Sequence, residues 1–232
     1  MLPVTLGSGN VQAQAREARY DALAGWARER DLPAIATAHH ADDQAETLLM
    51  RLNRGSGLAG LAGVRAESVI AGHRVRRPLL RWRKAELEGV VRDAGLTPVA
   101  DPSNDDTRFD RARLRQAIGE ADWLDPEALA RSARLLAEAQ EALDQIVEDQ
   151  LATHVREVED GVFQLSPASA DYMGVELVTR LFARMHVDAP RSAVAALCKR
   201  LEEGRNASLG GVLATARGGV WTFRPEPPRR SR

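Results

Sequence analysis

The spacing of apolar and polar residues changes period several times along this chain. From Asn10 to about Arg30, Val11, Ala15, Ala18, Leu23 and Trp26 fall near one helical face. Arg16, Glu17, Arg19, Arg28 and Glu29 take the remaining surface, and Asn10 suits the cap position. Pro33-Ala34-Ile35-Ala36-Thr37-Ala38 is a nearly all-apolar run, the pattern of a strand buried on both faces in a parallel sheet. It ends in His39-His40, and Asp42-Asp43 opens a helix with Leu48, Leu49 and Leu52 on its apolar side and Gly55 as its terminating glycine. Residues 68–80 predict a hairpin turning at Ala71-Gly72. Trp82 to Ala94 predicts a helix, 101–106 a polar loop, and Arg108 to Ile118 a short helix. Pro126, in a first-turn position, starts a long helix through about Glu159. Helices over 167–186 and 191–203 follow, then a hairpin around Arg217-Gly218-Gly219. The Pro- and Arg-rich end from 225 to 232 reads as disordered. The expected fold class is α/β: part of a parallel-sheet domain over 1–122, then over 123–224 a long connector helix and a mainly helical second domain with a small β-hairpin.

Composition narrows the class. The 232 residues are 44% hydrophobic and 28% charged, as in ordinary soluble globular proteins, but only 4% aromatic. A core resting on Leu, Val, Ile and Ala favours close-packed helices over a β-sandwich. No run of about 18 apolar residues spans a membrane, and MLPVTLGSGN lacks the basic and apolar regions of a signal peptide. A single cysteine, Cys198, excludes an intrachain disulfide framework and a multi-cysteine zinc site, and points to a reducing cytoplasm. Charge is uneven beneath a net of −1. Arg65 to Lys84 holds seven basic residues against Glu67, Asp122 to Asp160 holds eleven acids against three arginines, and Arg191 to Arg232 is basic again. Arginine, which contacts phosphate bidentately, outnumbers lysine throughout, so a nucleic-acid face is permitted without being required.

Three segments carry candidate chemistry. His39-His40-Ala41-Asp42-Asp43-Gln44-Ala45-Glu46-Thr47 lies where a strand gives way to a helix, the crevice in which open α/β sheets bind ligands. Free N–H groups at the helix start suit a phosphate, and two adjacent carboxylates suit Mg²⁺ held together with phosphate oxygens. The same residues also read as ordinary helix-start residues beside a buried histidine. Arg54 to Gly63 is glycine-rich but follows a helix and lacks Gly-Lys-Ser/Thr, so it is neither a Rossmann fingerprint nor a Walker loop; it reads as a flexible loop over a site, or as a plain connector. Arg108, Arg111, Arg113 and Arg115 stand beside Asp101-Pro102-Ser103-Asn104, with Arg111 and Arg115 on one helix face, where they clamp a polyanion or pair with nearby acids. No HExxH pair and no GxSxG elbow occurs.

Together these segments resemble the tRNA(Ile)-lysidine synthetase family of N-type ATP pyrophosphatases (PP-loop enzymes). The family pattern HHxDDQxETxLxxLxRGxGxxGLxG is filled at every fixed position from His39 to Gly63. The likeness extends upstream through Asn10 to Tyr20. Downstream it takes in Arg77-Pro78-Leu79-Leu80, Arg83-Lys84-Ala85-Glu86-Leu87, Asp101 to Arg115, Leu209-Gly210-Gly211 and Trp221-Thr222-Phe223-Arg224. It implies a ligase that uses ATP and Mg²⁺ to adenylate the wobble cytidine of tRNA(Ile), after which free lysine displaces AMP. By this resemblance Asp42, Asp43, Arg111 and Arg115 are catalytic, and Asp43 is the Mg²⁺ ligand. His39, Gln44, Glu46, Gly55, Gly57 and Gly60 bind the nucleotide, residues 123–224 contain a tRNA-binding domain, and a homodimer is left open.

Two departures stand out. The family's SGGxDS loop does not occur here, which makes 1–122 the C-terminal half of an ATP-pyrophosphatase-like domain; the chain is expected to be the rear of a longer enzyme, inactive without that loop. Ala112 stands where the family commonly has Asn. The alternatives are a non-catalytic tRNA-binding paralogue and a metal-dependent phosphohydrolase using His39, His40, Asp42 and Asp43.

Overall fold

The computed structural model describes residues 11–98, 110–166 and 168–226, with side chains from residue 14 onward. The expected cap at Asn10, the loop 101–106, Arg108 and residues 227–232 lie outside the described residues. The chain divides into two compact units, 1–140 and 141–232, and the division falls within one long helix.

In the first unit, α1 (Val11–Arg28) leads to β1 (Ile35–Ala36), α2 (Ala41–Asn53) and a single turn, α3 (Leu58–Leu61). The hairpin β2 (Glu67–Ile70) and β3 (His73–Arg76), α4 (Lys84–Asp93), α5 (Asp110–Glu120) and the first part of α6 (Pro126–His154) complete it. β3 is central, pairing antiparallel with β2 and parallel with β1. Ala71 and Gly72 have φ of 51° and 70°, the consecutive left-handed pair of a tight hairpin turn, so the turn sits where it is expected. The apolar run at 33–38 is a strand over two residues only, with Ile35 buried and Ala36 exposed, rather than a strand buried on both faces. Thr37 N–H extends the pairing by one bond, donating to the Arg76 carbonyl at 2.9 Å. Ile35 packs on Ala24 and Ala27 of α1, where small side chains let helix and strand approach closely. α4 ends as expected, with Gly95 at φ +68° just past the helix.

In the second unit the expected hairpin at 217–219 is present as β7 (Val212–Arg217) and β8 (Val220–Pro225), but it is the heart of a larger sheet. Together with β4 (Val155–Glu159), β5 (Val162–Leu165) and β6 (Ala207–Leu209) it forms five antiparallel strands in the order β4-β5-β8-β7-β6. Two helices, α7 (Tyr172–Arg184) and α8 (Arg191–Glu202), pack with it. The extra strands correct two sequence expectations. α6 stops at His154 rather than near Glu159, because Val155 and Val158 separate charged residues ahead of Asp160-Gly161, a hairpin turn with Gly161 at φ +70°. α7 starts at Tyr172 rather than 167, capped by Asp171, whose carboxylate accepts from Gly174 N–H at 2.8 Å. The first two residues of the tail expected from 225 are ordered: Pro225 belongs to β8 and Glu226 N–H donates to the Gly211 carbonyl.

The core here is continuous. Phe182 and Phe223 meet edge to face at 6.0 Å among Leu165, Val178, Leu181, Val194, Leu201 and Trp221. Cys198 is fully buried in it, and burial pushes its thiol up to about 12, the behaviour of inert filler. Among the described residues no helix is long and apolar enough to cross a membrane.

Candidate active site

The site is built on the first two turns of α2. His40, at the N-cap, is extended, and its N–H donates to Asp43 Oδ2 at 3.0 Å. The His40 ring lies between the two acids, with Nδ1 3.5 Å from Asp42 Oδ2 and Nε2 3.5 Å from Asp43 Oδ2. Asp42 is spent on a neighbouring helix start. It accepts from Arg83 Nε at 3.2 Å and Nη2 at 3.0 Å through Oδ1, and from Lys84 N–H at 2.7 Å through Oδ2. The adjacent bond from Ala41 N–H to the Trp82 carbonyl, 2.8 Å, completes an interlock of the α2 and α4 N-termini. Burial pushes the Asp42 carboxyl up, but the Arg83 side-chain bonds and the Lys84 N–H outweigh it and hold it below the usual carboxylate range. The Asp42 bonds in turn hold the Arg83 guanidinium above its ordinary value.

His39 is half-buried, with Nδ1 3.0 Å from Thr37 Oγ1. Burial lowers its pKa, Asp43 opposes the shift, and the cations Arg77, Arg16 and Arg111 reinforce it, so the imidazole is neutral near pH 7.

One turn on, Glu46 is 2% exposed. Arg115 of α5 holds it with Nε 2.7 Å from Oε1 and Nη2 3.3 Å from Oε2. Arg111 approaches at 3.8 Å and donates to Thr47 Oγ1 at 3.1 Å. The two arginines therefore share a face, as their spacing predicts, and that face meets an acid inside the protein. Ala112 between them is the buried residue of α5.

Gln44 points toward the glycine-rich segment. Its amide donates to the Val64 carbonyl and accepts from Val64 N–H, both at 2.7 Å. Arg51 donates to the carbonyls of Gly60 and Gly63. The segment expected to be a flexible loop is thus tied to α2 by two side-chain hydrogen bonds, and two more hold Val64, the residue that follows it. Gly55, at φ +66°, terminates α2; Gly57 precedes α3; Gly60 lets Ser56 approach, since a Cβ there would lie 2.7 Å from Ser56 Cβ. Gly63 combines φ +64° with a Cβ position 2.4 Å from Gln44 Oε1, so no other residue fits without displacing the clamp.

Asp42, Asp43, His39, Glu46, Arg111 and Arg115 are thus gathered along α2, while Gly55, Gly57 and Gly60 belong to its attached turn, whose end Gln44 of α2 holds. Sequence reasoning gave no role to Arg83, Arg51, Thr37 or Arg77, although Arg77 and Arg83 lie within the basic stretch already noted. Among the described residues no group of three or more His, Cys, Asp or Glu is placed to hold a metal. Mg²⁺ needs no such cage when phosphate oxygens complete its shell. Asp43 suits that arrangement: Oδ2 takes the His40 N–H, and no described residue bonds Oδ1.

Comparison with known proteins agrees with this architecture. Residues 4–121, more than half of the chain, match the model of a family described as a PP-loop domain, and the chain belongs to that family. The chain is 44% identical over 229 residues to the tRNA(Ile)-lysidine synthase of Novosphingobium aromaticivorans, covering 97% of this chain and 70% of that protein. It is 36% identical over 230 residues to the tRNA(Ile)-lysidine synthase of Zymomonas mobilis, covering 95% and 68%. That of Ruegeria pomeroyi is 37% identical over 221 residues, covering 91% and 52%. The chain belongs to the tRNA(Ile)-lysidine synthase family.

Proposed function

We propose that the protein forms lysidine at the wobble cytidine of tRNA(Ile) from ATP and lysine, with the residues along α2 supplying part of the site. The cytidine O2 attacks the α-phosphorus of ATP and pyrophosphate leaves. The lysine ε-amine then bonds to C2, the C2–O bond breaks, AMP departs and the amine gives up a proton. The observation that carries the reading is the line of opposed charges on α2, in which the Asp43 carboxylate and the neutral His39 stand one to two turns from a buried Glu46 held by Arg115 and Arg111.

In this reading Asp43 is the carboxylate available to Mg²⁺ and to the lysine ammonium. Bound Mg²⁺ would neutralise charge on the phosphates. Neutral His39 adds no positive charge that repels the ammonium. Arg111, with 45% of its side chain exposed, meets the phosphate or the reacting nucleotide, and Glu46 fixes Arg115 beside it. Asp42, already saturated by Arg83 and Lys84, positions the other groups and does not itself meet the substrate. Gln44 and the glycines hold the adjoining turn in shape.

The test is incorporation of labelled lysine into a tRNA(Ile) transcript with ATP and Mg²⁺. It is run on the protein isolated from its own cells and, in parallel, on the 232-residue chain. Asp43→Ala lowers incorporation by about a hundredfold or more. Unchanged incorporation removes Asp43 from the site. Phosphate release from simple esters without tRNA would favour the phosphohydrolase instead.

A further inference from the structure

Arg77 follows β3, whose last residue, Arg76, accepts at 2.9 Å from the backbone of Thr37, two residues before His39. It is 4% exposed, the most deeply buried cation among the described residues. Its Nη1 donates to the Arg65 carbonyl at 2.8 Å and to Ser68 Oγ at 3.0 Å, and its Nε is buried with no partner. Among the described residues no carboxylate pairs with it. Arg65 Nη1 is likewise buried without a partner. Neutral oxygens satisfy donors but do not offset the cost of burying a charge, and an apolar residue of similar length would fill this space without that cost. Such a cation finds its balance in an anion that arrives. The surroundings fit one: the same Thr37 has its hydroxyl 3.0 Å from His39 Nδ1, and Arg16 of α1 and Arg111 of α5, both exposed, add their positive charge to that of Arg77 on this histidine, with Asp43 the acid that opposes them.

We propose that Arg77 is the buried positive floor of an anion seat rimmed by Arg16, His39 and Arg111, and that the seat takes a phosphate group. This deepens the nucleotide reading of the same site and rests on it for the phosphate's source. Arg77 acts through its field from beneath, while Arg16 and Arg111 make the contacts. An RNA backbone phosphate offers the same chemistry.

The test is calorimetric titration of inorganic pyrophosphate into the 232-residue chain at low salt. Arg77→Met weakens binding about tenfold with the circular dichroism retained, and Arg77→Lys keeps affinity within about threefold, since it restores the charge. Equal affinity in Arg77→Met, equal losses in the Lys and Met variants, or no binding by the native chain at millimolar pyrophosphate overturns the seat. So does tighter binding on changing Asp101, Asp105 and Asp106 together to Asn, which would make an acid of the chain the counter-ion of Arg77. Should Arg77→Met not fold, Arg16→Met and Arg111→Met carry the reading: each weakens binding about threefold, and unchanged affinity in both overturns it. Competition by an anticodon-sized RNA hairpin assigns the seat to backbone phosphate, and its absence assigns it to the nucleotide; either supports a phosphate seat. The titration needs no lysine, tRNA or turnover. Loss of the seat with lysidine formation intact therefore leaves the ligase reading standing.

Discussion

The pair between Glu46 and Arg115 is asymmetric, and the asymmetry is measurable. Glu46 has 2% of its side chain exposed and Arg115 has 38%. Among the described residues, Arg115→Met leaves the interior carboxylate with Arg111 as its one remaining ion-pair partner, at 3.8 Å. Removing one partner of a buried pair costs about 3–5 kcal/mol, mostly as the burden of the charge left behind. With Arg111 offsetting part of this, Arg115→Met costs about 3 kcal/mol, or roughly 6–12 °C in Tm for a chain of this size. Glu46→Gln leaves a cation that water already reaches, and the amide still accepts a hydrogen bond, so its cost is about 1 kcal/mol. Urea unfolding followed by tryptophan fluorescence reads this in a Trp221→Phe background, because Trp26, Trp82 and Trp123 all belong to the first unit. A Glu46→Gln cost equal to or above that of Arg115→Met would refute the burial argument.

Two further outcomes follow from the neighbouring geometry. Asp42 is held below the usual carboxylate range, so its contribution is present above about pH 4 and lost as pH falls through its folded value. Asp42→Asn therefore costs about 1–2 kcal/mol at pH 7 and much less at pH 3, and an equal cost at both, in urea midpoints, would show that the Arg83 interlock contributes nothing. Gly63→Ala strains a left-handed residue and drives a methyl into Gln44 Oε1, costing about 2–3 kcal/mol, whereas Gly57→Ala, in open space, changes stability by less than about 1 kcal/mol. Equal thermal shifts for the two variants would refute the clamp.

The elements most legible from sequence were those carrying their own signal. α2 declared itself through acids at its start and Gly55 at its end, and the Ala71-Gly72 and Gly218-Gly219 turns through residues that adopt positive φ. The misreadings have physical causes. β4 reads as a continuation of α6 because Val155 to Glu159 fits either period, and the Asp160-Gly161 turn is the local feature that separates them. The second sheet was underestimated because its short edge strands, three residues in β6, carry too few alternations to separate from loops. The two-residue β1 was read as longer because apolar composition alone does not say which neighbour will cover each face.

The chemistry of His39 to Gly63 was decided locally. One strand end, one helix and one turn carry it, so residues a few positions apart are forced together by the chain itself, and a contiguous pattern records them. What only the tertiary structure decided is what each group does there. Asp42 looks like its neighbour Asp43 in sequence, yet it is consumed by Arg83 and Lys84, more than forty residues away. Glu46 looks like a solvated helix acid, yet it is buried under Arg115, 69 residues on. Arg77 sits in a basic stretch that reads as surface, yet it is sealed from water. Burial and long-range pairing set whether a charge is free to meet a ligand, and neither has a period along the chain from which it could be read.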